Sequence, residues 1–164
     1  MKVLVAGIGN VLRCDDGFGV AVARRLLEDA SLPPQVTVLE AGIAGVRVVQ
    51  ELLDGYDGLI IVDAIARGGT PGTIYELEPE AGDQPPTGPA TAPASLHLVG
   101  PSAILTLARA AGCLPARVAI IGCEPAECDE LALEPTPAVA AAVPRAAALI
   151  HERIRAWEAR GTGP

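Results

Sequence analysis

Short apolar runs at residues 3–8, 36–41, 59–64 and 117–123 recur along this chain, with helix-forming stretches between them. Runs this short and this rich in Val, Ile and Leu read as strands buried on both faces. Strands alternating with helices in this way call for an α/β fold, a mostly parallel sheet covered on both sides. The sequence predicts helices over 17–29, 45–54, 101–111 and 137–159. Asp15 and Asp16 stand at the start of the first and Arg24 and Arg25 toward its end, which suits the helix dipole. Gly55 and Gly112 follow the second and third as C-caps, and Pro101 sits in a tolerated first turn. In the last helix Val139, Val143, Ala147, Ile150, Ile154 and Trp157 recur at three- and four-residue steps and form a buried stripe. Pro144 kinks that helix or marks its true start. Residues 73–78 read as an antiparallel edge strand, because only the turn 68–72 precedes them.

A chain of 164 residues suits one domain spanning 1–164, with a Pro-rich loop over 79–95 and a disordered tail at 161–164. Only Phe18, Tyr56, Tyr75 and Trp157 are aromatic, so the core is aliphatic. A net charge of −8 argues against nucleic acid or an anionic membrane as partner, since both need basic patches. No apolar run approaches the ~20 residues that span a bilayer, and the first residues lead straight into a strand pattern. A cytoplasmic location is expected. Cys14, Cys113, Cys123 and Cys128 lack paired zinc spacing and read as free thiols.

Ligands of parallel sheets bind beyond the carboxyl ends of the strands. There the sequence places Gly9, Asn10, Asp15 and Asp16 after the first strand, Glu40 after the second and Asp63 after the third. Four carboxylates on one rim repel one another unless a cation offsets them. Asp16, Asp63 and His97 together offer two carboxylates and an imidazole, a donor set for nickel or zinc. His151, beside Glu152 and Arg153, reads as solvated surface. Gly7-Ile8-Gly9 with Glu40 leaves a nucleotide-binding module as an alternative, although Leu12 stands where a third glycine belongs. Cys14 adjoins Asp15 and Asp16 rather than a cation that would activate a thiol, and no serine stands in a nucleophile-elbow context.

The order of motifs resembles the hydrogenase maturation endopeptidases over nearly the whole chain. It runs Gly7-x-Gly9-Asn10-x-Leu12-x-x-Asp15-Asp16-Gly17-x-Gly19, then Asp63-Ala64, Pro71-Gly72-Thr73, His97-x-x-Gly100 and Glu134-Pro135-Thr136-Pro137-x-Val139. The resemblance implies a three-layer α/β/α sandwich around a mostly parallel five-stranded sheet. It implies removal of a C-terminal extension from the large-subunit precursor of a nickel–iron hydrogenase after nickel insertion. Asp16, Asp63 and His97 match the side chains that contact that nickel and support catalysis. The nickel then comes with the substrate, and a zinc-like ion in the isolated protein is the variant of this reading. Glu40 matches an acidic position near the cleft and, with Gly42, is implied in substrate recognition; Ile43 stands where the family usually has a hydroxyl residue. A non-catalytic nickel-binding chaperone on the same fold is the alternative from another class.

Overall fold

The computed structural model describes residues 1–79 and 100–161. Five strands, β1 (Val3–Ile8), β2 (Val36–Gly42), β3 (Gly58–Ala64), β4 (Ile74–Leu77) and β5 (Arg117–Cys123), form one sheet in the order β2-β1-β3-β5-β4. β1 pairs in parallel with β2 and β3, and β3 with β5; only the short edge strand β4 runs antiparallel, against β5. Side chains alternate across each strand, so one sequence run feeds two cores. Val3, Val5, Ile60, Val62, Ala119 and Ile121 face α1 (Phe18–Leu27) and α5 (Val143–Gly161). Leu4, Ala6, Ile8, Leu59, Ile61 and Ile120 face α2 (Gly45–Leu52) and α3 (Pro101–Ala110). The result is the expected three-layer α/β/α arrangement. Among the described residues no helix is long and apolar enough to cross a membrane.

Three details depart from the sequence reading. The first helix does not begin at Gly17: residues Cys14–Gly17 form a 3-10 turn, and α1 starts at Phe18 with no side-chain cap. Asp15 is drawn into long-range bonds there and is unavailable to cap a helix. The break expected at Pro144 is present: the last helix is two, a single turn α4 (Pro137–Ala140) and α5, with Pro144 in the first turn of α5. The stripe Val139, Ala147, Ile150, Ile154 and Trp157 is buried as expected, and Ala142 and Ala146 join it across the break. His151 is not solvated surface: its Nε2 lies 2.9 Å from Asp29 Oδ2, tying α5 to the end of α1. The Ser31 hydroxyl and amide, with His151, hold Asp29 down to about 2. Gly161 closes α5 rather than opening a tail; residues 162–164, and the expected loop from residue 80 to 95, lie outside the described residues.

Candidate active site

The chain leaves β1 toward β2 on one side and passes from β3 toward β5 on the other, so the strand order reverses between β1 and β3. Crevices open at such points, beyond the carboxyl ends of the strands. Three glycines bring the turn after β1 over this crevice. A Cβ on Gly7 would lie 2.2 Å from the Gly19 carbonyl, and one on Gly19 would lie 2.1 Å from the Val62 carbonyl. α1 therefore presses directly on β1 and β3. At Gly9, φ is +120°, and a Cβ would lie 1.9 Å from the Asp16 carbonyl and 3.8 Å from Asp63 Oδ1. Asp16 and Asp63 are thus drawn together by backbone contacts that only hydrogen side chains permit.

Asp16 Oδ2 accepts the Asn10 N–H at 2.9 Å, which fixes the carboxylate over the end of β1. Asp63 is 8% exposed, and its Oδ1 accepts the N–H of Ala64 at 2.9 Å. Burial first, and the Asp16 charge second, push Asp63 up to about 8 against the pull of that hydrogen bond. A pair that cannot comfortably carry two negative charges is suited to a cation, and its oxygen donors fit a divalent ion. His97, the expected nitrogen donor, lies outside the described residues. Among the described residues no group of three or more His, Cys, Asp or Glu is arranged to hold a metal.

Of the four carboxylates expected on the rim, Asp15 turns away and Glu40 is already paired with a cation. Asp15 is fully buried and turned inward, its oxygens taken by Ala126, Glu127 and Thr136. Glu40 pairs with Arg24, Nε to Oε2 at 3.0 Å and Nη2 to Oε1 at 2.7 Å, and this guanidinium holds it below the usual carboxylate range. Gly42, at φ +59°, receives the Gly9 N–H on its carbonyl at 3.0 Å. Glu124, which the sequence reading passed over, directly follows β5, as Asp63 stands one residue before the end of β3. It is buried and accepts the Tyr75 hydroxyl at 2.7 Å and the N–H groups of Arg67 at 2.8 Å and Gly68 at 3.0 Å. It thereby pins the loop that follows Asp63. The strand-end rule that found Asp63 applies equally to Glu124.

The amides that a dinucleotide loop would turn toward a pyrophosphate are committed elsewhere. Gly9 donates to Gly42, Asn10 to Asp16, and Leu12 to Asn10 Oδ1 at 3.0 Å. Cys14 is buried at φ +46°, with Sγ 3.4 Å from the Glu134 carbonyl. Burial pushes Cys123 and Cys128 up to about 11, with Asp15 adding to the first and Asp16 to the second. Neither Cys123 nor Cys128 is activated.

A family model described as hydrogenase maturation protease matches residues 20–153. The hydrogenase expression/formation protein HupD of Rhodobacter capsulatus is 36% identical over 156 residues, which is 95% of this chain and 72% of that protein. The hydrogenase 2 maturation protease of Escherichia coli is 31% identical over 138 residues, covering 83% of this chain and 81% of that protein. Among solved structures, the hydrogenase maturating endopeptidase HybD from Escherichia coli superposes with a TM-score of 0.77 at 31% identity, covering 94% of this chain and 93% of that one.

Proposed function

The chain belongs to the hydrogenase maturation protease family, and on that premise we propose that it removes the C-terminal extension of a nickel–iron hydrogenase large-subunit precursor once nickel is in place. The observation that carries this reading is the Asp16–Asp63 pair at the strand-order reversal, two carboxylates that resist sharing negative charge. Nickel held by the precursor is the cation this pair accepts, and His97 completes the contact. Binding it requires both carboxylates ionised, so the proton that Asp63 carries near neutral pH is released as the precursor docks.

With no activated thiol beside the pair, hydrolysis uses water. The water oxygen attacks the scissile carbonyl carbon while a carboxylate of the pair takes its proton, and the same proton passes to the leaving amine as the C–N bond breaks. Glu40 and Gly42, near the end of β2, contribute to substrate recognition in this reading; Gly42 is the one bonded to the turn, through the Gly9 N–H. A precursor lacking nickel leaves the two carboxylates facing each other, which makes cleavage conditional on metal loading.

The test is a processing assay on nickel-loaded and nickel-free precursor, with cleavage followed by mass. Loaded precursor is expected to be cleaved at least about tenfold faster, equivalent to ~1.4 kcal/mol of differential binding. Asp63→Ala and His97→Ala are expected to lose cleavage while staying folded. Equal rates on the two precursors overturn nickel gating. Nickel transfer without cleavage identifies a nickel-carrying chaperone instead. Loss of activity on chelating the protease alone, with the precursor's nickel retained, assigns a resident zinc-like ion.

A further inference from the structure

Asp15 lies one residue from the site and is fully buried, yet its carboxylate is not aimed at the crevice. Oδ2 accepts the N–H groups of Ala126 at 2.8 Å and Glu127 at 3.0 Å and the Thr136 hydroxyl at 3.0 Å; Oδ1 accepts the Thr136 N–H at 2.7 Å. Each of these four bonds spans more than 110 positions along the chain, and the neighbouring Cys14 thiol adds a longer contact to Oδ1 at 3.9 Å. The backbone follows the same route: Asp15 N–H donates to the Glu127 carbonyl at 3.0 Å and Cys14 N–H to the Ala132 carbonyl at 2.8 Å. Between them Cys14 is held at φ +46°, a conformation that a residue with a side chain keeps only when its surroundings impose it. The strained residue, the buried carboxylate and Asp16 are consecutive.

We propose that Asp15 is a positioning residue: its carboxylate locks the turn Cys14–Gly17 to residues 126–136 and so sets where Asp16 stands relative to Asp63. This rests on the reading of Asp16 and Asp63 as the reactive pair. A carboxylate can accept all of these bonds, whereas an asparagine in its place turns an NH2 group toward either the Oδ1 donors or the three Oδ2 donors. The turn then loses part of its anchor and Asp16 its fixed place over Asn10, while the sheet keeps its own hydrogen bonds.

The experiment compares Asp15→Asn, Thr136→Val and Thr136→Ser in the full chain, by amide hydrogen exchange and by cleavage kinetics on nickel-loaded precursor. The Asn10 amide, which donates to Asp16, reports the turn directly. Asp15→Asn is expected to exchange at Asn10 at least about tenfold faster, with strand amides such as those of Val5 and Ile60 as protected as before. Its kcat is expected to fall at least about tenfold with KM held within about twofold, the mark of misplaced reacting groups rather than lost binding. Thr136→Val, which removes the hydroxyl and keeps the N–H, gives the same pattern in smaller measure, and Thr136→Ser restores normal behaviour. If Asp15→Asn does not fold, the Thr136 pair carries the test. Unchanged Asn10 exchange overturns the proposal, and so does acceleration of the strand amides in step with Asn10, which marks a merely structural role. If the wild-type protein leaves the precursor intact, the proposed function fails, while the Asn10 exchange still decides what Asp15 does.

Discussion

Asp63 is the penultimate residue of a strand with no exposed residue before it, and that burial together with Asp16 lifts it to about 8. In an unfolded chain an aspartate titrates near 3.9. Between these values the folded protein binds more protons than the unfolded one, so stability falls as pH rises from about 4 to about 8 and is level above that. Urea unfolding of the metal-free protein at pH 5 and pH 8 is expected to show this loss, and Asp63→Asn to lack it. An equal loss in both proteins removes Asp63 from the balance. A second expectation concerns Cys14, whose thiol faces the Glu134 carbonyl and, at 3.9 Å, an Asp15 oxygen already engaged by Thr136. Cys14→Ser is expected to keep cleavage within about threefold of wild type, since no covalent step passes through it; complete loss in a folded variant restores the thiol as nucleophile. Asp16 and Asp63 were legible in the sequence because strand ends fix which residues meet at a rim. The inward turn of Asp15 and the ion pair of Glu40 were not legible for the same reason. Rim position says nothing of where a carboxylate turns, and their partners, Thr136 and Arg24, are set by tertiary packing.

The contact between α1 and the sheet explains why the turn after β1 needs its glycines. Their spacing suggests a nucleotide loop or a tight turn, and the structure gives a third reason, the absence of Cβ where helix meets strand. Gly19 shows it best, with Val62 O at 2.1 Å and Ile8 O at 2.4 Å from the place a Cβ would occupy. Both neighbours are backbone in the centre of the sheet and cannot rotate away. Gly19→Ala is expected to cost at least about 1–3 kcal/mol as α1 lifts from the sheet. That shifts the melting temperature by roughly 2–4 °C per kcal/mol in a chain of this length. Cleavage should fall further than the folded fraction, because Asp16 rides on the turn that leads into α1. A variant with wild-type melting and activity shows that the helix relaxes freely. Strand boundaries and the starts of α2 and α3 were readable nearly to the residue, whereas the fate of Asp15 before α1 was not. Pro144 signalled the start of α5, but Asp15 replaces a cap with distant bonds, an outcome that depends on packing that spacing alone does not encode.

The two ends of the sheet divide the work of the molecule. At the carboxyl end, Asp15 and Glu124 fasten the loops that carry Asp16 and follow Asp63 to the segment after β5, so buried polar groups serve geometry there. At the amino end the contacts are of another kind. Trp157 of α5 is 4% exposed and lies across the start of β3, where a Cβ on Gly58 would meet its ring at 2.8 Å. The Arg117 guanidinium, at the start of β5, caps the Trp157 carbonyl. This end holds α5 to the sheet and touches nothing in the crevice. Trp157→Ala is therefore expected to cost about 3–5 kcal/mol, as truncation of a large buried side chain does. Cleavage per folded molecule should stay at the wild-type rate when normalised by native fluorescence of a bound dye or by circular dichroism. Trp157→Phe, which keeps most of the packing, should fall between the two in stability with the same normalised rate. A drop in normalised rate for the Phe variant would show that strain at the amino end reaches the Asp16–Asp63 pair through β3. The parallel sheet would then be a conduit between its ends rather than a rigid floor that separates stability from chemistry.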